Sequence, residues 1–192
     1  AAIGPRFSLR LVGKLSSLPL NYVAKELSTC IHEGLVQTQG HDLKRIKEMD
    51  FVALSEIEKS AKLDAECFFI HDRIQQAALR LIDKNLLKSY HIEIGRYLKS
   101  ELSKEDLDAQ LYFVLFHFNH GRSLIESDAE KNFLSELNLL ACRRAKKSTS
   151  YPLASDFVNI AIEILPQDTW QKHYDLTLAL YQEAVEISYL LR

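Results

Sequence analysis

Cys67-Phe68-Phe69-Ile70-His71-Asp72-Arg73-Ile74-Gln75-Gln76-Ala77-Ala78-Leu79-Arg80-Leu81-Ile82 changes period halfway along its length. Its first residues are aromatic and β-branched, the types that strands favour. Its later apolar residues, Ile74, Ala77, Ala78, Leu81 and Ile82, recur at i, i+3, i+4, i+7 and i+8, the spacing of one helix face. The change falls at His71-Asp72. The carboxylate of Asp72 suits an N-cap, where it accepts from the N–H groups of a first helical turn. A strand running into a capped helix is therefore expected, with a histidine at the corner, held from both sides and free to point outward.

Upstream, the chain reads as helix, turn, helix, strand. Phe7, Leu9, Leu11, Val12 and Leu15 surround a short helix, and Ser16-Ser17-Leu18-Pro19 is a turn with proline at a helix start. Leu20, Val23, Ala24, Leu27, Cys30 and Ile31 share one face of a second helix. Gly34 suits the position just past its end. Leu35 to Gln39 alternates as a short strand. Helices followed by two strands predict a winged helix over residues 1–71, with a wing hairpin at about 35–39 and 66–70. Residues 40–64 form the insertion at its tip, where Leu43, Ile46, Phe51, Leu54, Ile57 and Leu63 point to a short helix.

From residue 72 to 192 only helices are expected, over 72–83, 86–101, 105–120, 127–147, 151–165 and 168–191. Residues 111–116 are apolar all round, so their helix is expected to be central. Residues 135–168 carry half of a tetratricopeptide pattern: Ala154, Val158, Ala161 and Pro166 stand at the spacing of that repeat's second helix. Ala141, Cys142 and Ala145 supply small residues on the first helix, whose signature tryptophan and tyrosine are missing. The fold class is all-α with a small β-hairpin: a winged-helix-like domain, then a tetratricopeptide-like array.

Composition narrows function. The net charge of −2 leaves no basic footprint for nucleic acid. The second helix carries Lys25 against Glu26 and Glu33, with Arg6, Arg10 and Lys14 nearby, too few cations to read DNA. Three widely spaced cysteines, Cys30, Cys67 and Cys142, argue against a disulfide framework and for a reducing cytoplasm. No apolar run approaches the ~20 residues of a membrane span, so no membrane partner is expected. The start Ala-Ala-Ile-Gly-Pro-Arg has no signal-peptide pattern and no initiator methionine, and reads as the start of an excised fragment.

Catalytic signals are sparse. The six glycines are isolated and no phosphate-binding loop occurs, so the fragment is expected to be no enzyme and to hold no cofactor or metal itself. His91, His117 and His120 lack the spacing of a tetrahedral metal site and read as partly exposed or locally bonded helical histidines. The Arg143-Arg144, Lys146-Lys147 run reads as a solvated helix end, where cations favour the helix dipole.

Phe69-x-His71-Asp72-Arg73-Ile74-Gln75-Gln76-Ala77-Ala78 resembles the junction after the ATPase core in large bacterial signalling proteins. These join a serine/threonine-kinase-like domain, a STAND-type AAA ATPase, helical repeats and often histidine-kinase domains. Tyr90 to Arg96, Glu136 to Ala141 and Trp170 to Leu190 resemble the same family, whereas residues 40–64 match poorly. The resemblance implies a non-catalytic regulatory or scaffolding segment. Its partners would be an upstream ATPase core in cis, which holds ATP or ADP with magnesium, and a protein or signalling ligand on the helical array. Ile70-His71-Asp72 is also similar to the Met-His-Asp motif of plant immune receptors, which implies that His71 contacts the phosphate of ADP held by that core. Imidazole suits such a role because its N–H donates to phosphate oxygen. A STAND transcriptional regulator or a free-standing helical adaptor are the alternatives.

Overall fold

A computed structural model describes residues 1–39 and 65–192. The expected tip helix and its apolar residues lie outside the described residues. The chain is mostly helical with a small antiparallel sheet of three strands. It divides into two compact units, Ala1–Tyr90 and His91–Arg192.

In the N-terminal unit, β1 (Arg6–Ser8) leads directly into α1 (Leu9–Ser16). The corner is made by Ser8, whose hydroxyl accepts from the Leu11 N–H at 3.1 Å. Phe7 is therefore a strand residue and not part of the first helix, a correction to the periodicity above. α2 (Leu20–His32) starts after Pro19 and ends as expected at Gly34. Gly34 has φ +70°, the Gly34 N–H donates to Ile31 O, and the Leu35 N–H donates to Cys30 O, the paired closure of a Schellman motif.

β2 (Val36–Gln39) and β3 (Glu66–Phe69) form the expected hairpin, with Val36 opposite Phe69 and Gln39 opposite Glu66. The unexpected strand β1 pairs on the other edge of β3, placing Phe7 opposite Cys67. β3 is thus central in the sheet, which explains why Cys67 is fully buried. Phe7, Leu9, Leu20, Val23, Ala24, Val36 and Cys67 make the core. α3 (Asp72–Arg80) follows β3. Its predicted apolar stripe is only half covered: Ile74, Ala78 and Ile82 are partly buried, no residue of α3 is fully buried, and Leu81 is 88% exposed.

α4 (Lys84–Glu101) is capped by Asp83, whose carboxylate accepts from the Asn85 and Leu86 N–H groups. These two bonds, that from Leu86 first, hold its pKa below the usual carboxylate range. In the C-terminal unit the expected helix 105–120 is two helices, α5 (Lys104–Ala109) and α6 (Leu111–Gly121), broken at Gln110. α7 (Asp128–Lys147) and α8 (Tyr151–Ile164) match expectation closely. The expected helix 168–191 breaks at His173 into the short α9 (Thr169–Lys172) and α10 (Tyr174–Leu190).

α8 packs on α7 and α10, and α10 also meets α7. The small residues anticipated here do lie at these contacts. Cys142, Ala145, Ala154, Val158 and Ala161 are buried in one cluster with Leu139, Leu180 and Ile187, so short side chains let the helix axes come close. α6 is only half central. Leu111, Val114, Leu115 and Phe118 are buried, whereas Tyr112, Phe113 and Phe116 stay exposed. A helix packed on one side cannot bury an apolar belt that runs all round.

Candidate functional site

His71 occupies the corner that its sequence setting implies. It has extended backbone (φ −139°, ψ 141°) and stands at the N-cap of α3. Its carbonyl accepts from the Ile74 N–H at 2.9 Å, which closes the first turn. Its side chain makes no capping bond and is exposed. Asp72 is not the cap. It lies one residue inside, in the first turn, where its charge favours the helix dipole without accepting from a cap position. The corner is braced at β3, where the Phe69 N–H donates to Pro5 O and the Ile70 N–H to Leu35 O. Inside the helix, the Gln75 amide donates to Ala1 O at 3.1 Å. An imidazole here is fixed at its backbone and open at its ring, able to donate to or accept from an incoming group.

The C-terminal unit gathers polar groups that periodicity did not single out. His91 and His117 are buried, and their Nδ1 atoms lie 3.0 Å apart. This corrects the reading of both as partly exposed or locally bonded. Only His120 fits that description: it is exposed and its Nδ1 lies 2.7 Å from Phe116 O. The three rings cluster, with His91 5.1 Å from each of the other two. Burial, and secondarily the proximity of His120, push the pKa of His91 down to about 4. Among the described residues no group of three or more His, Cys, Asp or Glu is arranged to hold a metal ion.

Asn119 and Asn138 are buried and exchange reciprocal amide bonds of 2.9 and 3.0 Å between α6 and α7. The Ser135 hydroxyl donates to Ala161 O across α7 and α8. The basic run 143–147 is not simply solvated. Arg143 and Lys146 both bond the buried Glu183 of α10, Lys146 also reaches Glu186, and Arg144 pairs with Asp108. Burial raises the pKa of Glu183, but hydrogen bonds from Lys146 and Arg143 override it and hold the carboxyl below its usual range, so the group stays ionised. Burial, with Glu183 adding to it, pushes the Cys142 thiol up to about 11, leaving it an inert core group. Such networks orient helices; none of them brings a nucleophile to a base.

The signal for the buried pair was present but weak. His91 is followed by Ile92 and Ile94, and His117 lies among Val114, Leu115 and Phe118, so each histidine sits on an apolar face. Nothing in either helix alone says that the two meet. Among the described residues no helix is long and apolar enough to cross a membrane.

No protein-family model matches the chain, and no solved structure gives a significant match. Among curated proteins the chain is similar to hybrid signal transduction histidine kinase G of Dictyostelium discoideum, 26% identical over 147 residues. That match covers 64% of this chain and 4% of the much longer kinase.

Proposed function

We propose that this chain is a non-catalytic regulatory segment of a multidomain signalling protein of the STAND ATPase type, coupling the nucleotide state of an ATPase core to partner or signal sensing. The observation that carries the proposal is its similarity to a stretch of a hybrid histidine kinase. The architecture agrees with it. α1, α2 and the β2–β3 hairpin follow a winged-helix order, with β1 as an added edge strand. α7 and α8, closed on α10 by small residues, follow a tetratricopeptide-like order. On this reading residues 1–71 are the winged-helix-like domain and 72–192 the array. The array receives a protein or signalling ligand in the cytoplasm.

His71 is the residue we assign to nucleotide sensing. The ATPase core in cis would hold ATP or ADP and magnesium, and His71 would donate its ring N–H to the phosphate of ADP and favour the closed state. Its exposed ring on a braced backbone supports that assignment. A bond from a polar or charged donor to phosphate is worth about 1.5–3 kcal/mol, which shifts a closed-to-open ratio by roughly ten- to a hundredfold. In the complete signalling protein, His71→Ala is expected to speed ADP release by that factor with little change in melting temperature, measured by stopped-flow displacement of a fluorescent ADP. Unchanged release would remove His71 from the switch.

A further inference from the structure

α10 carries two apolar stripes. Thr177, Leu180, Glu183 and Ile187 face inward, with Leu180 and Ile187 in the cluster shared with α7 and α8. The second stripe, Tyr174, Leu178, Tyr181, Val185 and Ser188, steps alternately by four and three residues, the spacing of a helix seam that meets another helix. It faces outward: Tyr174 is 55% and Val185 71% exposed, and the adjacent Tyr189 77%. Tyr181, Ala184, Val185, Ser188, Tyr189 and Arg192 line a shallow groove along it. The exposed Trp170 stacks on Tyr181 with centroids 5.4 Å apart and extends the patch.

We propose that this face is a homodimer interface, occupied by α10 of a second copy running antiparallel about a two-fold axis between Tyr181 and Val185. The seam is complementary to itself in that register. Tyr181 meets Val185 of the partner subunit, Leu178 meets Ser188 of the partner subunit, and Tyr174 meets Arg192 of the partner subunit. Each layer sets a large side chain against a smaller one, or an aromatic ring against a cation. This is the layering that fills a helix–helix contact without voids. An isologous contact uses the same patch on both copies and closes at two.

Area and charge agree. Aromatic side chains carry about 150–250 Å² each. At the exposures seen, Trp170, Tyr174, Tyr181, Val185 and Tyr189 present roughly 500–600 Å², a little over 1,000 Å² for two copies, the lower end of specific interfaces. A standard interface buries ~800 Å² per partner. Glu186, on the flank of the seam, is already neutralised by Lys146 at 2.8 Å, so the two copies do not set bare like charges against each other there.

Analytical ultracentrifugation of the 192-residue chain at micromolar concentrations tests the proposal. The expected species has twice the 22.1 kDa chain mass. Val185→Glu and Tyr181→Lys, each alone, are expected to weaken dimerisation at least a hundredfold while the circular-dichroism spectrum stays that of a folded helical chain. Mixing the two is expected to restore a dimer, because Glu at 185 of one chain then meets Lys at 181 of the other. Val185→Ser, a milder change, is expected to weaken the dimer to a smaller degree. A chain that stays monomeric across the concentration range overturns the proposal, as does a dimer that survives both single variants. If the charge pair fails to re-form a dimer, the antiparallel register is overturned.

Discussion

The Nδ1 atoms of His91 and His117 face each other across α4 and α6 at 3.0 Å, both inside the protein. A contact of this kind needs one nitrogen to donate and the other to accept, so one of the two rings must keep its Nδ1 unprotonated.

Stability is therefore expected to fall in mild acid. His91 has its folded-state pKa lowered from 6.5 to about 4 by burial, then by His120. The unfolded chain takes up a proton as pH drops through 6.5, whereas the folded chain resists until about 4. The contribution is fully present above pH 6.5, is lost progressively between 6.5 and 4, and is level below. Its size is about 3.5 kcal/mol at most, at ~1.4 kcal/mol per pH unit. Urea unfolding at pH 7, 5.5 and 4 measures it, and the His ring resonances by NMR assign it. His91→Phe is expected to flatten the dependence.

Gly121→Ala is expected to destabilise the C-terminal unit by about 1–3 kcal/mol through overpacking. Helix propensity alone predicts a gain of ~1 kcal/mol. A Cβ on Gly121 would stand 2.8 Å from the Ile92 backbone nitrogen and 2.8 Å from its Cβ. Gly95→Ala is expected to cost less, because its Cβ meets the ring of Phe118 at 2.9 Å and a side chain yields more readily than backbone. Thermal melts of both variants check the order.

Ala161→Leu is expected to cost about 1–3 kcal/mol. Ala161 is fully buried, and its carbonyl accepts from Ser135 across α7 and α8. Added methyl groups have no room unless the two helices part. Equilibrium denaturation measures the change; an unaltered midpoint would mean that this helix contact is loosely packed.

Thr149→Gly is expected to stabilise the protein, by about 1 kcal/mol. α7 ends in a Schellman closure like that of α2, with the Thr149 N–H donating to Lys146 O and the Ser150 N–H to Ala145 O. Here a β-branched residue, not glycine, holds the left-handed conformation at φ 58°. Relief of that strain outweighs the extra freedom glycine has when unfolded. A rise in the denaturation midpoint is the expected result.

Local signals in the chain were sufficient for whatever a single segment settles by itself. The change of period at His71 placed the corner between β3 and α3. Gly34 placed the end of α2, because few residues other than glycine tolerate its φ. The small residues of α7 and α8 marked their contact, since a stripe of short side chains serves close approach and little else. The placement of His71 was legible for the same reason, although its neighbour Asp72 proved to be a first-turn residue and not the cap.

Tertiary structure alone decided what depends on two distant segments meeting in register. β1 is three residues long and exists because Phe7 pairs with Cys67 across the sheet. The breaks at Gln110 and His173 divide runs whose periodicity continues through them. His91 with His117, Asn119 with Asn138, and Glu183 with Arg143 and Lys146 are contacts between helices. Hydrophobic periodicity reports which face of a helix turns inward, but not which residue of another helix arrives opposite it. A buried polar group is satisfied only once both the angle and the register between helices are set.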